Sequence, residues 1–390
     1  MIDAGISKNR LGAPVGLKTE TARDRESTLH SALHQRNIPG LDAMRATAII
    51  IVVLYHWNIP VSGALGVIVF FVLSGFLITG VLIKEIKKSG NISIGNFYRR
   101  RAFRIFPAFY ICWFVTIGLS LWAHEAVNWK HAFESFFYLA DYGRAFLPLK
   151  DQYTYPMGVS WSLAVEEQFY LLWPLALLWI LKMKRPVLTV AWIVGGLWLW
   201  RALLVVVFHV SWDYAYNAFD TRADALMVGC WLALIVYRGN VAKPVLLWVS
   251  QKWLVLVPLL GLVGMSTLEV RGLIGPSAQV AEFTIAPVLT AILLLQWMYW
   301  GFTDWAFLEH PLIKFVARIS YSLYLYHGVV LWQLHWLGHL HHGIRTITAG
   351  LCLVASAASY YGIERPFMKM RDRGRRASVL MDAGLPQVSL

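Results

Sequence analysis

The chain has 390 residues, of which 58% are hydrophobic and 19 are tryptophan, and its formal net charge is +13. Apolar stretches of about 20 residues recur along most of its length, which is typical of polytopic helical membrane proteins and excludes a soluble fold. The positive charge does not indicate nucleic-acid binding, because the lysines and arginines flank the apolar stretches instead of forming one patch.

The apolar stretches predict an all-α polytopic membrane protein with about ten transmembrane helices. Polar residues of mixed charge predict a disordered tail over 1–37, followed by a membrane domain over 38–368 and a basic tail over 369–390. No soluble second domain is expected. The predicted spans are 43–59, 64–83, 104–123, 159–181, 187–208, 221–237, 246–266, 280–300, 319–338 and 345–363.

The distribution of lysine and arginine predicts the orientation of the chain. If the N-terminal tail lies in the cytoplasm, the segments on that side carry 27 of the 35 lysines and arginines, and those on the other side carry five. Cytoplasmic segments of membrane proteins are enriched in positive charge. Both termini are therefore expected in the cytoplasm.

The first span, LDAMRATAIIIVVLYHWN, contains both Arg45 and His56. Eleven residues of α-helix turn through about 1100°, close to three full turns, and rise by roughly 16 Å. The two side chains should therefore share a face, with Arg45 near the cytoplasmic edge and His56 in the outer half. The spacing fits a functional pair and a pair of interfacial anchors equally, with Asp42 as partner of Arg45 and helix N-cap.

The third span opens on the expected cytoplasmic side with FYRRRAFRIFP, residues 97–107. Arg100 and Arg104 are i,i+4 neighbours, and Arg101 lies beside them, so one face of this turn is strongly cationic. Such a face binds either anionic lipid or the phosphates of a cytoplasmic donor.

The fourth span contains WSLAVEEQFY, with two adjacent carboxylates inside the membrane. Ser162, Glu166 and Tyr170 are spaced i, i+4, i+8 and share a face, and Glu167 lies about 100° away. A carboxylate at this depth stays protonated or is held by a cation, and either state can orient a base or move a proton. An internal ion pair that joins helices is the alternative.

Two further spans carry polar residues. Arg222 and Asp224 enter the sixth span from the outer side, and the ninth places Ser320, Tyr324 and His327 on one stripe at i, i+4, i+7. This pattern fits a catalytic site and a polar seam between helices about equally well.

Taken together, these motifs resemble the acyltransferase 3 family of membrane acyltransferases. The ten residues between Arg45 and His56 are similar to the arginine-to-histidine signature of that family. The resemblance covers residues 38 to about 368. Its other landmarks follow in the family's order: FFVLSGFLIT (70–79), FYRRRAFRIFP (97–107), WSLAVEEQFY (161–170), TRADALMVG (221–229) and SYSLYLYH (320–327).

The resemblance implies transfer of an acyl group, most often acetyl, from cytoplasmic acyl-CoA to a hydroxyl of an extracytoplasmic carbohydrate. Members modify O-antigen of lipopolysaccharide, exopolysaccharide, peptidoglycan or secreted glycolipids. It also implies the inner membrane of a bacterium, no permanently bound cofactor, and membrane lipid, acyl-CoA and a glycan as partners. Some members carry a fused extracytoplasmic domain. None is expected in this chain, so the ten-helix unit should act alone or with a separate extracytoplasmic partner protein.

Within that scheme, His56 is expected to act as general base on the hydroxyl or to carry the acyl group itself. Glu166, and less directly Glu167, would orient the imidazole. The expected catalytic group is His56, Glu166, Glu167 and Arg45. The arginines expected to bind the CoA phosphates are Arg45, Arg100, Arg101 and Arg104. The candidates for binding substrate or stabilising the oxyanion are Arg222, Asp224, Tyr326 and His327.

Two alternatives start from other features. A transporter or flippase of acyl groups or glycolipid also places charges inside the membrane, but no inverted repeat is evident in the sequence. The histidine-rich stretch LHWLGHLHHG invites a metal site, but it has no nearby carboxylate or cysteine ligand, so none is expected. Its histidines are His335, His339, His341 and His342.

Overall fold

The computed structural model describes residues 22–35, 37–146, 157–239, 241–273, 275–335 and 342–371. These residues form α-helices joined by short turns, and none of them forms a β-strand. In chain order the helices are α1 (Ala22–His34), α2 (Leu41–His56), α3 (Gly63–Ser89), α4 (Ile94–Trp122), α5 (Trp129–Phe136), α6 (Ala140–Ala145), α7 (Ser160–Ile180), α8 (Pro186–Val206), α9 (Trp212–Asn217), α10 (Phe219–Tyr237), α11 (Lys243–Val249), α12 (Leu256–Val270), α13 (Pro276–Thr303), α14 (Pro311–His335) and α15 (His342–Ser359).

Within the described residues, six helical segments are long and apolar enough to cross a membrane. They confirm the prediction of an all-α, multi-pass membrane protein. The other four predicted spans coincide with α2, α10, α14 and α15, so the number of ten crossings stays a prediction. The six segments are Gly63–Ser89, Ile94–Trp122, Ser160–Ile180, Pro186–Val206, Lys252–Val270 and Gln279–Gly301.

Helix α3 is buried along most of its length and packs against α2, α7, α10 and α13. Its contact with α10 is close because glycines face each other. A Cβ at Gly75 would run into the carbonyl oxygen of Leu226, and a Cβ at Gly229 would run into that of Val72. Small residues that allow backbones to approach are typical of helix contacts in membranes. The backbones of α3 and α10 are thus in close contact.

The polarity of the bundle is arranged for lipid. Large apolar side chains point outward on α8 and α12, where Trp192 is 74% and Leu260 65% exposed. Charged side chains of the same region, such as Arg201 and Glu282, are fully buried. An ionisable group inside a membrane is tolerated where it faces the protein interior, so these buried charges mark places where polar chemistry is possible.

Two sequence predictions differ from the structure. The expected disordered tail contains helix α1, whose Leu29, Ala32 and Leu33 are buried against the bundle. The prediction of disorder rested on the polar composition of the whole tail, in which these few apolar residues carry little weight. The seventh span begins at Lys252 and not at residue 246, because α11 ends at Val249 and the chain turns before a 3₁₀ helix over Lys252–Val255.

Candidate functional site

A cavity of about 470 Å³ lies among α2, α3, α4, α7 and α14. Helices α2 and α4 begin, and α3 and α10 end, at the same end of the bundle, which the orientation argument predicts to be cytoplasmic. The cavity runs inward from that end and brings together residues from five of the sequence motifs. Its polar and charged lining includes Arg45, Lys84, Arg101, Arg104, Glu166, Glu167, Tyr170, Ser74, Ser162, Ser320 and Tyr324.

Arg45 lies near the start of α2 and lines the cavity. Its Nη1 is 3.2 Å from Oδ1 of Asp42, as the i,i+3 spacing predicted. The expected capping role of Asp42 is wrong, since the N-cap is Gly40 with a φ of 79° and no side-chain cap. The N–H of Gly40 instead donates to Oε1 of Glu309 at 3.0 Å. The start of α2 is therefore held by a carboxylate from a distant part of the chain.

Arg101 and Arg104 project from α4 into the same cavity. The guanidinium of Arg101 stacks over the ring of Tyr170, 4.6 Å from its centroid, and Arg104 is close enough to Arg45 and Arg101 for mutual repulsion. Three guanidiniums that repel one another in a confined space favour an anionic ligand. The geometry thus provides an anion site at the expected cytoplasmic end.

Arg100 does not belong to this group, so its predicted place at the donor site is wrong. Its Nη2 is 2.7 Å from Oε2 of Glu85, and it does not line the cavity. The i,i+4 spacing correctly predicts that Arg100 and Arg104 lie on one helix. The ion pair with Glu85 of α3, however, holds the Arg100 guanidinium outside the cavity.

The two glutamates of α7 line the cavity on its inner side. Glu166 accepts hydrogen bonds from the hydroxyls of Ser74 and Tyr170. Glu167 has no hydrogen-bond partner among the described residues and interacts electrostatically with Arg101. The expected contact between Glu166 and His56 is wrong, because Glu166 is held by α3 and by its own helix within the cation-lined cavity.

His56 is the last residue of α2 and is exposed. Its Nδ1 is 2.8 Å from the carbonyl oxygen of Val52; since a carbonyl only accepts, Nδ1 carries the proton and Nε2 has its lone pair available. The ring of His327 packs against it edge-on, with centroids 4.8 Å apart. His327 repeats the arrangement, with Nδ1 bonded to the carbonyl of Leu323 at 3.1 Å.

A continuous set of contacts joins the cavity to His56. Ser162 and Tyr324 line the cavity and are hydrogen-bonded to each other. The ring of Tyr324 lies 5.6 Å from that of His327, which in turn contacts His56. His56 and His327 do not line the cavity. They lie beyond its inner end: His327 follows Tyr324 on α14, and His56 of α2 packs against His327.

Comparison with known proteins decides the family. The sequence model of the acyltransferase domain matches residues 38–361. The chain belongs to the acyltransferase 3 family. The resemblance carried by the motifs is therefore confirmed, and the matched region contains His56 and nearly the whole lining of the cavity.

Relatives of this acyltransferase 3 chain include a peptidoglycan O-acetyltransferase, OatA, of Listeria monocytogenes. That protein is 33% identical over 317 residues, which is 75% of this chain and 49% of the relative. The O-acetyltransferase OatA of Staphylococcus aureus strain NCTC 8325 is 31% identical over 353 residues, 86% of this chain and 58% of the relative. The chain thus spans about half the length of the curated relatives it matches. No solved structure matches it.

Asp224 of the acyltransferase 3 chain is not available to a substrate, contrary to the sequence prediction. Its Oδ2 lies 2.7 Å from Nη1 of Arg201, and the indole of Trp198 donates to it at 3.0 Å. Arg201 is fully buried and also donates to the carbonyl of Thr221 and the hydroxyl of Thr284. The role of Asp224 is therefore to neutralise a buried guanidinium of α8.

Within the described part of the chain, two other candidates make no direct contact with His56. The guanidinium of Arg222 is enclosed by aromatic rings, 3.9 Å from the centroid of Phe283, and no contact with His56 is found among the described residues. Tyr326 faces away from the cavity, toward Ser359. The predicted oxyanion role of both is thus unsupported by the geometry. In the histidine-rich stretch, His339 and His341 lie outside the described residues.

Sequence reasoning missed two charged residues of the site. Arg144 donates to the carbonyl of Gly158 at 2.8 Å and interacts electrostatically with His56 and Tyr324. Glu364, in a π-helical turn after α15, accepts from Ser322 and interacts with Arg104. Arg144 follows no helical spacing, and Glu364 lies after the last landmark motif, so no pattern pointed to either.

Proposed function

We propose that this chain is a membrane O-acyltransferase that moves an acyl group, in the simplest case acetyl, from acyl-CoA to a hydroxyl of an extracytoplasmic glycan. The observation that carries the proposal is the cavity, with guanidiniums at its expected cytoplasmic end and a paired imidazole beyond its inner end. Because the Listeria relative is a peptidoglycan O-acetyltransferase, peptidoglycan is the first acceptor to test.

The cation-lined end suits the phosphates of CoA. Arg45, Arg101 and Arg104 supply planar forks that bind phosphate through paired hydrogen bonds. A volume of about 470 Å³ is in the range of small-molecule sites and accommodates the pantetheine arm of the donor. The thioester would then point toward Ser162 and Tyr324, at the end of the cavity nearest His56.

Glu166 stabilises this arrangement without touching His56. Hydrogen bonds from Ser74 and Tyr170 hold its carboxylate, and its negative charge offsets part of the repulsion among the guanidiniums. Because the bond from Ser74 joins α3 to α7, it also holds together two helices that line the cavity.

His56 supplies the reactive nitrogen. As a general base, Nε2 takes the proton of the sugar hydroxyl while the hydroxyl oxygen attacks the acyl carbonyl; the C–S bond breaks and the proton ends on the CoA sulfur. As a nucleophile, Nε2 attacks the acyl carbonyl and the C–S bond breaks, giving CoA thiolate and an acyl-imidazolium that keeps the Nδ1 proton. When the sugar oxygen takes the acyl group, the proton of the hydroxyl passes to Nε2 and then to the thiolate. The bond from Nδ1 to Val52 fixes the tautomer for both routes.

The test uses the purified protein reconstituted in proteoliposomes, with radiolabelled acetyl-CoA and soluble peptidoglycan fragments on opposite sides of the membrane. Label on the glycan, with release of CoA, supports the transferase. Movement of unmodified glycan or of acetate without labelled ester would contradict it and support a carrier. Mass spectrometry of the protein after acetyl-CoA alone separates the two routes, since only the nucleophilic route leaves acetyl on His56.

We further propose that the chain lies in the inner membrane of a bacterium with both termini in the cytoplasm. The excess of lysine and arginine in the connections assigned to that side supports this orientation. It is tested by fusing alkaline phosphatase, which is active only outside the cytoplasm, to the C-terminus and to the α12–α13 connection. Activity of the C-terminal fusion would contradict the orientation.

A further inference from the structure

A second group of charged side chains lies at the other end of the bundle and takes no part in the cavity. Arg222 of α10, Glu269 of α12 and Glu282 of α13 come together there. The hydroxyl of Ser266 in α12 accepts from the N–H of Ser62, just before α3 begins. The group therefore lies at the opposite end of α3 from the cation-lined end of the cavity.

These side chains carry polar atoms that nothing in the described part of the chain satisfies. Arg222 and Glu282 are 1% and 3% exposed. Nε and Nη2 of Arg222, Oε2 of Glu269 and Oε2 of Glu282 have no hydrogen-bond partner among the described residues. A buried polar atom left without a partner costs about 1–3 kcal/mol, more when it is charged. Four such atoms in one place indicate a site that a polar ligand completes.

The carboxyl groups of Glu269 and Glu282 lie within hydrogen-bond reach of each other, and each interacts with Arg222. Together they offer carboxyl acceptors and a guanidinium fork in one place. Vicinal hydroxyl groups match this arrangement, since each hydroxyl both donates and accepts.

Aromatic rings form the walls around the same group. The Arg222 guanidinium lies 3.9 Å from the ring centroid of Phe283 and 5.4 Å from that of Tyr216. Trp212 stacks on Phe283 with centroids 5.4 Å apart. Aromatic faces beside a few convergent polar groups are typical of sites that bind compact, amphipathic ligands. A pyranose, with an apolar ring face and a polar rim, is such a ligand.

The group also borders the segment that carries the reactive histidine. The side chain of Glu269 interacts with Ser62, and Tyr216 interacts electrostatically with Tyr55. The ring of Tyr55 contacts His56, with centroids 5.1 Å apart. The group therefore lies on the side of Tyr55, the residue that precedes His56.

We infer that Arg222, Glu269 and Glu282 bind a sugar unit of the acceptor glycan and hold its hydroxyl toward His56. This site rests on the proposed function and adds the place of the acceptor to it. Donor and acceptor then approach His56 from opposite ends of the bundle, and neither site needs residues of the other.

The test compares Glu282→Gln with Glu134→Gln, a control at the same end of the bundle. Glu134 is a carboxylate of α5 bound to the ring of His131 at 2.7 Å, away from the group. With soluble peptidoglycan fragments as acceptor, Glu282→Gln should raise the acceptor KM about tenfold, the loss expected for one charged hydrogen bond. The control should keep the wild-type KM. Arg222→Lys, which keeps the charge and loses the fork, should also raise it.

Hydrolysis of acetyl-CoA without acceptor separates binding from structure. If Glu282→Gln lowers hydrolysis but leaves the acceptor KM unchanged, its role is structural and the inference is overturned. Should that variant fail to fold, Glu269→Gln decides, because Glu269 is only half-buried; an unchanged KM there also overturns the site. Wild-type protein that neither hydrolyses nor transfers acetyl contradicts the proposed function itself. Wild-type protein that hydrolyses acetyl-CoA and never modifies the fragments contradicts glycan binding.

Discussion

Substituting Arg104 by glutamine should weaken acetyl-CoA binding strongly while leaving the ligand-free protein no less stable. Arg104 lines the cavity between Arg45 and Arg101, and its guanidinium is repelled by both. A charged hydrogen bond is worth about 1.5–3 kcal/mol, and 1.4 kcal/mol is a factor of ten in affinity, so Kd should rise about 10- to 150-fold. Without ligand, the same substitution removes the repulsion from Arg45 and Arg101, which outweighs the attraction of Glu364, so the melting temperature should not fall.

The assay is isothermal titration of the purified protein with acetyl-CoA, paired with differential scanning fluorimetry of the ligand-free protein. Arg100→Gln is the matched control, because Arg100 is paired with Glu85 outside the cavity. Its loss should leave acetyl-CoA affinity unchanged. Equal weakening by Arg100→Gln and Arg104→Gln, or normal binding by Arg104→Gln, would refute the assignment of the donor to this cavity.

Three further predictions concern stability. Burial raises the pKa of Asp141, in α6 between the spans, to about 6 from 3.8, so between these pH values the folded protein holds a proton that the unfolded chain releases. The melting temperature should therefore fall as the pH is raised from 4 to 6, and Asp141→Asn should flatten this fall. Gly229→Ala should cost about 1–3 kcal/mol by forcing α10 from α3, whereas Gly118→Ala, with open space around it, should be neutral or stabilising in the same thermal assay. Arg201→Met should destabilise the protein by about 3–5 kcal/mol because Asp224 stays buried without its cation, and the absence of a lower melting temperature would contradict the pair.

Features that depend on one helix could be predicted from the sequence. The spacing from Arg45 to His56 places both on α2, and the stripe of Ser320, Tyr324 and His327 runs from the cavity to His56 as one face of α14. Apolar length predicted most of the helices, because a membrane span needs a minimum number of apolar residues. These predictions follow from local geometry alone.

Partners from other helices could not be predicted in this way. Arg100 and Arg104 have the same spacing motif, but only the packing of α3 brings Glu85 to Arg100. Asp224 looked free to bind substrate until α8 supplied Arg201. Glu166 likewise finds Ser74 of α3 in place of His56. The partner of each charged side chain depends on how the helices are arranged in space. The periodicity of a single sequence predicts the helices but not their arrangement.

The central claim is that donor binding and acyl transfer occur at different places joined through His327 and His56. The most direct test measures, on one preparation of His56→Ala, both the Kd for acetyl-CoA and the transfer of labelled acetyl to soluble peptidoglycan fragments. The structure predicts that the variant binds acetyl-CoA as tightly as the wild type and transfers no acetyl. Transfer at the wild-type rate would contradict the role of His56, and loss of acetyl-CoA binding would contradict the separation of the two sites.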